Sequence, residues 1–398
     1  MKTPFYRVVS SIALEGESFE GEWRAVEGSR YFQSPVLYKE NGFKKKEDAQ
    51  KLICELSTQQ PLICTVEKIE RKKENKNPPL LFNLAELQNV CSKLFKISPD
   101  ETLSIVQDLY EKKLVTYPRT DARVLSTAVA KEIYKNISGL RNYPQAGEAA
   151  QGALELGAYK NIAKTRYTND KQITDHYAII PTGQGLGALK GLSLTAQRVY
   201  ETIVRRFLSI FYPPAVYQKV SLVTKMENES FFSSFKVLLS EGYLKIAANS
   251  FAKKSMAEAS GKTPESEGEG EVSCDEALLA ALQKLKKGDI LNINGLGIKE
   301  GETSPPKRYN SGSMILAMEN AGQLIEDEDL RSQIKGSGIG TSATRAEILK
   351  KLFNIRYLSL NKKTQVITPT LQGEMIYDVV NCSIRQLLNP ELTASWEK

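Results

Sequence analysis

Only one histidine, His176, occurs among the 398 residues, so no metal centre built from several imidazoles can form. The same ground argues against a histidine-cluster relaxase. The five cysteines, Cys54, Cys64, Cys91, Cys274 and Cys382, are widely spaced and contain no C-x-x-C pair, which argues against structural zinc and against a disulfide framework. No signal peptide and no apolar run of membrane-spanning length is present, so the expected setting is cytoplasmic and nucleoid-associated, with no membrane partner. Nucleotide-fuel motifs are missing too. Gly336-Ser337-Gly338-Ile339-Gly340-Thr341-Ser342 lacks the P-loop lysine, and Gly183-Gln184-Gly185-Leu186-Gly187 misses the dinucleotide pattern. Each run reads first as a turn, although Thr341 and Ser342, opening a helix, could bring backbone amides to a phosphate.

What is present describes a folded protein, with 41% hydrophobic and 25% charged residues. A net charge of +7, from 54 basic and 47 acidic residues, permits a polyanionic partner without demanding one. The length implies roughly two to four domains.

The expected fold class is multidomain α+β. Residues 1–78 read as β-rich, interrupted by a helix over 46–56 in which Ala49, Leu52, Ile53 and Leu56 recur at helical spacing. The polar run 71–77 ends in Pro78-Pro79 and marks a boundary. Residues 79–213 read as helical. Asn83-x-x-Glu86 and Ser98-Pro99-Asp100-Glu101 have the form of capping boxes, and the second helix carries Leu103, Val106, Leu109 and Tyr110 on one face. A later helix over 195–211 turns Val199, Ile203 and Phe207 inward and is stopped by Pro213-Pro214. Strand patterns return over 214–303, so the helical part reads as an insertion into the β-rich domain. Residues 256–271, rich in Gly, Ser and Glu, read as a mobile linker, and a basic helix follows over 275–287. Residues 304–398 form a third region, with helices near 311–321 and 342–353 and two short strands after them, a pattern like that of winged-helix readers of nucleic acid.

The most enzyme-like words are Leu114-Val115-Thr116-Tyr117-Pro118-Arg119-Thr120-Asp121 and Asp175-His176-Tyr177-Ala178-Ile179-Ile180-Pro181-Thr182. A phenol has a pKa of about 10 and needs a positive neighbour or a base to attack phosphorus, and Arg119 offers a fixed, permanently charged fork for phosphate oxygens. Attack by Tyr117 exchanges one phosphoester for another, so the energy of the broken strand is kept and no nucleotide fuel is required. Taken singly, a Tyr-Pro-Arg is a packed aromatic with a surface arginine, and a lone histidine is a satisfied polar residue. Their conjunction with the surrounding words carries the argument.

Val115-Thr116-Tyr117-Pro118-Arg119-Thr120-Asp121-Ala122-Arg123 resembles the active-site segment of type IA DNA topoisomerases, in particular the bacterial topoisomerase III branch. Phe82-Asn83-Leu84, Asp175-His176-Tyr177-Ala178-Ile179-Ile180-Pro181-Thr182, Phe211-Tyr212-Pro213-Pro214, Pro305-Pro306-Lys307-Arg308-Tyr309 and Gly338-Ile339-Gly340-Thr341-Ser342-Ala343-Thr344-Arg345 follow in the family's order. The resemblance implies a toroidal arch: a β-rich hinge domain (1–78 and 214–303), a helical, winged-helix-like tyrosine domain (79–213) and a partial helical base (304–398). It implies ATP-independent cleavage of one strand with a 5′-phosphotyrosyl bond at Tyr117, strand passage and religation. Arg119 would hold the scissile phosphate, His176 would position DNA, Lys171 and Arg345 would contact phosphates, and Asp121 would orient Arg119. Tyr177 departs from relatives that carry a second histidine there. No Asp-x-Asp-x-Glu signature of the Mg²⁺-binding TOPRIM domain precedes Phe5, and no zinc ribbon follows. The expectation is therefore a central portion that is incomplete alone, with Mg²⁺ held elsewhere in the full enzyme and no cofactor in this chain. Single-stranded or negatively supercoiled DNA is the expected partner of a monomer. The rival reading is a non-catalytic single-strand-binding module on the same scaffold.

Overall fold

The computed structural model describes residues 2–58, 60–251, 271–273, 276–321, 338–388 and 392. The linker read at 256–271 falls outside them except for Glu271. The chain divides into two compact units: Met1–Asn77 with Pro214–Gly242 and Lys253–Pro306, and Pro78–Pro213 with Tyr243–Ala252 and Lys307–Lys398. No helix among the described residues is long and apolar enough to cross a membrane.

The first unit is a sheet of β1 (Pro4–Leu14), β2 (Glu17–Arg24), β3 (Leu37–Lys39), β4 (Gly42–Phe43), β5 (Ile63–Lys76), β6 (Ala215–Met226), β7 (Glu229–Ser240), β8 (Glu271–Ser273) and β9 (Ile290–Glu302). Its order is β2-β7-β6-β5-β9-β1-β4-β3, with β8 beside β7. Because β1 also pairs with β2, the path β1-β2-β7-β6-β5-β9 closes on itself, although β5 meets β9 only over Ile63, Cys64 and Thr65. Alternation gives the inner face: along β1, Val8, Ser10, Ile12 and Leu14 are buried while the residues between them are half-exposed. Trp23 stacks on Phe43 at 5.0 Å, and its indole N–H donates at 2.6 Å to the fully buried carboxylate of Glu229. The helix Lys46–Leu56 covers this core with Ala49, Leu52 and Leu56, as its spacing requires, although Ile53 is only half-buried. The basic helix expected over 275–287 is observed as Glu276–Lys284.

The second unit is helical, built around Leu194–Ser209, whose Val199, Ile203 and Phe207 are fully buried. The side chains of Asn83 and Ser98 accept from the amides of Glu86 (2.9 Å) and Glu101 (3.1 Å), capping Leu84–Phe95 and Pro99–Glu111. The reciprocal half of the first capping box does not form, because Glu86 faces Arg123 and Arg206, at 3.9 and 3.8 Å. Residues 243–251, expected in the β-rich part, group here instead. The buried carboxylate of Glu201 accepts from the Ser250 amide at 2.6 Å and its hydroxyl at 2.7 Å, binding that segment to the central helix.

A smaller core of Ala85, Ile315, Met318, Leu349 and Ile367 joins Leu84–Phe95 to the helices Ser311–Glu319 and Arg345–Asn354 and to the antiparallel pair β10 (Leu358–Leu360) and β11 (Ile367–Pro369). At Gly312 the helices meet so closely that a Cβ would lie 2.6 Å from Asn89 Cα.

Candidate active site

The segment carrying Tyr117 is laced to the segment carrying His176 on both sides of the phenol. Before it, the Thr116 amide donates to Ile180 O at 3.0 Å, the Thr116 hydroxyl donates to Ala178 O at 3.0 Å and accepts from the Ile180 amide at 3.0 Å, and Val115 bridges Pro181. After it, the Thr120 hydroxyl donates to His176 O at 2.8 Å and accepts from the Ala122 amide at 3.1 Å. Pro118, buried and without an N–H, holds the turn between. Two threonines thus fix the spacing of phenol and imidazole through the backbone.

Tyr117 and His176 are brought together, with ring centres 4.2 Å apart and planes inclined at 39°. Tyr110 also meets the phenol ring edge-on, at 5.5 Å. The apolar stripe of Pro99–Glu111 runs through Leu103, Val106 and Leu109, so Tyr110, expected on the inward face, lies at its margin, 39% exposed, and turns to the site. These rings line a cleft of about 340 Å³, to which Lys113, Thr182 and Gln184 also contribute. Tyr117 is half-buried, and its hydroxyl has no hydrogen-bond partner among the described residues. The side chain is therefore not sealed in a core: its ring packs between described aromatic neighbours while its hydroxyl is left without a hydrogen bond to any described residue. Burial alone pushes the hydroxyl of Tyr177, at the same cleft, above its ordinary range.

The remaining candidate residues separate into two groups. Asp121 was expected to orient Arg119, but its carboxylate accepts from Arg345 Nη1 at 2.8 Å. The physical reason is burial: Arg345 is only 3% exposed, and a guanidinium taken out of water requires a carboxylate. Arg119 is exposed, with no hydrogen-bond partner among the described residues, and Lys171 is exposed on the single turn Asp170–Gln172, away from the cleft lining. Neighbouring Asp170 is held below the usual carboxylate range by hydrogen bonds from the hydroxyl and amide of Thr127.

Arg345 belongs to a polar cluster that composition and motif alone did not reveal. Asn83 Nδ2 donates to Glu319 at 2.6 Å and to the Asp121 carbonyl at 3.2 Å, and burial raises the Glu319 carboxyl above its usual range against the opposing pull of the Arg345 charge. The signal available was Asn83 itself, within a family word. Thr341 and Ser342 do not open a helix. The hydroxyl of Thr344 accepts from the Thr341 amide at 2.9 Å, making a turn that delays the helix to Arg345.

The glycine run beside the cleft is shaped by protein contact. Gly183 and Gly185 have φ of +77° and +70°, and added Cβ atoms would lie 2.6 Å from Asn136 O and Lys112 O respectively. Close backbone packing therefore accounts for the glycines at 183 and 185, while Gly187 has nothing within 4 Å of an added Cβ.

A family model described as DNA topoisomerase matches residues 1–398. The chain is 35% identical over 324 residues to DNA topoisomerase 3 of Bacillus licheniformis, covering 80% of this chain and 41% of that protein. It is 33% identical over 352 residues to DNA topoisomerase 3 of Bacillus subtilis, covering 87% and 44%. The chain thus spans less than half the length of these curated relatives. In fold it is similar to full-length topoisomerase I from Thermotoga maritima, with a TM-score of 0.62 at 21% identity over 99% of this chain and 54% of that one. With a tyrosine set at a cleft beside the lone histidine and the family's words in order along its length, the chain belongs to the type IA DNA topoisomerase family.

Proposed function

We propose that this chain is the DNA-handling portion of an ATP-independent type IA topoisomerase of the topoisomerase III kind, acting as a monomer on single-stranded or negatively supercoiled DNA. The Tyr117 phenol, at the cleft and without a hydrogen bond to any described residue, is the observation that carries this reading. Its oxygen attacks the phosphorus of a backbone phosphodiester; the bond to the 3′ oxygen breaks, that oxygen leaves with a proton, and a 5′-phosphotyrosyl ester remains. Religation is the reverse. Arg119, exposed two residues on, swings to the scissile phosphate and offsets the charge that develops on it. His176 supports the phenol and the incoming strand. Lys171, Thr341 and Ser342 contact the backbone further along, and Arg345 does so on release from Asp121. In this reading the closed sheet unit is the arch, residues 79–213 are the tyrosine domain and residues 304–398 are a winged-helix-like base.

Among the described residues no group of three or more His, Cys, Asp or Glu could hold a metal ion. Asp121 is taken by Arg345 and Glu319 by Asn83, so this site does not fit Mg²⁺, and we propose that the ion is held by a TOPRIM domain in the part of the full-length enzyme that this chain does not span.

The test is to supply the purified chain with the remaining half of a Bacillus relative in trans, with Mg²⁺ and a labelled single strand, and to trap adducts in detergent. A covalent adduct that Tyr117→Phe abolishes is expected, while the chain alone binds the strand without relaxing supercoiled plasmid. An adduct surviving in Tyr117→Phe, or plasmid relaxation by the chain alone, overturns the reading.

A further inference from the structure

We infer that Lys113 is a phosphate-binding residue of the cleft, taking a backbone phosphate of the strand that Tyr117 attacks. The inference rests on the reading of the cleft as a single-strand site.

It starts from a backbone that suits no lysine. Pro99–Glu111 ends in a paired cap in which the Lys113 amide donates to Tyr110 O at 2.8 Å and the Leu114 amide to Leu109 O at 2.9 Å. This cap requires the left-handed region at its turning residue, and Lys113 occupies it with φ +60°. Glycine is the usual occupant, because any Cβ is disfavoured there. The surroundings hold the conformation: the Thr182 hydroxyl donates to Lys113 O at 2.5 Å, and Gly185 packs against Lys112 O so closely that a Cβ would lie 2.6 Å from it. A side chain kept where its absence would relieve strain points to a use for that side chain.

The chemistry of the cleft supplies the use. Lys113 lines it with Tyr117 and His176, and among the described residues no carboxylate does. Lys113 has no ion-pair partner among the described residues, whereas adjacent Lys112 is paired with Asp108. The described lining therefore combines a lysine, a phenol and an imidazole with uncharged hydrogen-bonding residues, and the lysine's ammonium is within reach of an anion bound there. An anion with accessible oxygens completes that set, and a phosphodiester beside the one Tyr117 attacks meets the requirement. The bland alternative is a cation placed at the helix C-terminus for its dipole. That role concerns stability alone.

Binding of a fluorescein-labelled single-stranded oligonucleotide to the full chain, titrated across salt, separates the two. Each phosphate neutralised contributes a slope of about 0.7 in log affinity against log salt for single strands. Lys113→Gly, which also relieves the left-handed backbone and so preserves the fold, is expected to lower that slope by about 0.7, and the wild-type advantage then shrinks about 2.6-fold between roughly 50 and 200 mM salt. Lys113→Gln repeats the loss, and Lys113→Arg restores the slope. If Lys113→Gly keeps the wild-type slope while the wild type binds, the inference falls and the reading of the site stands. If the wild type does not bind the single strand at all, that reading falls and takes this one with it.

Discussion

The imidazole of His176 lies 4.2 Å, ring centre to ring centre, from the phenol of Tyr117, and the contact is imposed by Thr120, whose hydroxyl holds the His176 carbonyl at 2.8 Å. As the chain has a single histidine, its ring gives one unambiguous set of NMR signals. Tyr117→Leu is expected to move the His176 Hε1 resonance by removing the ring current, and Thr120→Val to move it toward the value of an unfolded peptide. Thr120 is buried, so losing the hydroxyl also leaves the Ala122 amide and the His176 carbonyl without their partner, at about 1–3 kcal/mol by urea denaturation. A His176 signal indifferent to Tyr117→Leu would show that the rings do not meet in solution.

That pairing was legible in the sequence only as two words of a familiar vocabulary. Helical spacing gave Lys46–Leu56 and the buried face of Leu194–Ser209, because local periodicity decides those features, whereas the latter helix ends at Ser209, short of the expected bound at 211 and ahead of the prolines. Tyr110 was misassigned because hydrophobic character cannot tell the core from the wall of a cleft. Asp121 was assigned to Arg119, two residues away, because its actual partner lies 224 residues on and is chosen by tertiary burial. The closing of β1 onto β2 as well as β9 depends on register between distant strands, which alternation alone does not set.

The Arg345–Asp121 pair is asymmetric, with side chains 4% and 52% exposed respectively. Asp121→Asn strands a buried guanidinium and is expected to cost about 2 kcal/mol, less than a fully buried pair would lose because the Glu319 charge remains nearby. At about pH 4, where the raised Glu319 carboxyl holds its proton, Arg345→Met leaves a solvated aspartate and an apolar stem of similar volume, and should stay within about 1 kcal/mol of wild type. Chemical denaturation of both variants decides it. A larger loss in Arg345→Met than in Asp121→Asn contradicts the argument.

Glu319 gives the cluster a pH dependence of definite sign. Burial raises its carboxyl from the ordinary 4.5, so the folded chain holds this proton more tightly than the unfolded chain does. Its contribution therefore favours folding below about pH 4.5 and is lost as pH climbs through the higher folded value. Glu319→Gln keeps an acceptor for Asn83 and removes the titration. Compared with wild type, this variant should gain relative stability between about pH 4 and pH 7, read from urea midpoints at each. Arg345→Met, which removes the main opposing charge, should enlarge the wild-type trend. A gap that closes or reverses toward neutral pH would show that the Arg345 attraction outweighs burial.

The glycine run separates packing from ligand binding by position. Gly183 has φ +77°, and a Cβ would lie 2.6 Å from Asn136 O and 3.2 Å from Gly139 Cα, all of it backbone that cannot swing aside. Gly183→Ala is therefore expected to cost about 1–3 kcal/mol from the strained backbone together with the clash. Gly187 has no positive φ and nothing within 4 Å of a Cβ, so Gly187→Ala should be neutral or stabilising by about 0.4–1 kcal/mol through the entropy of the unfolded chain. Since Thr182, one residue before Gly183, clamps the Lys113 carbonyl, the Gly183 variant should also weaken single-strand binding, while the Gly187 variant binds as wild type. Thermal melts and the oligonucleotide titration read both effects. Equal melting temperatures for the two variants would mean that the close approach at Gly183 is not present in the folded protein.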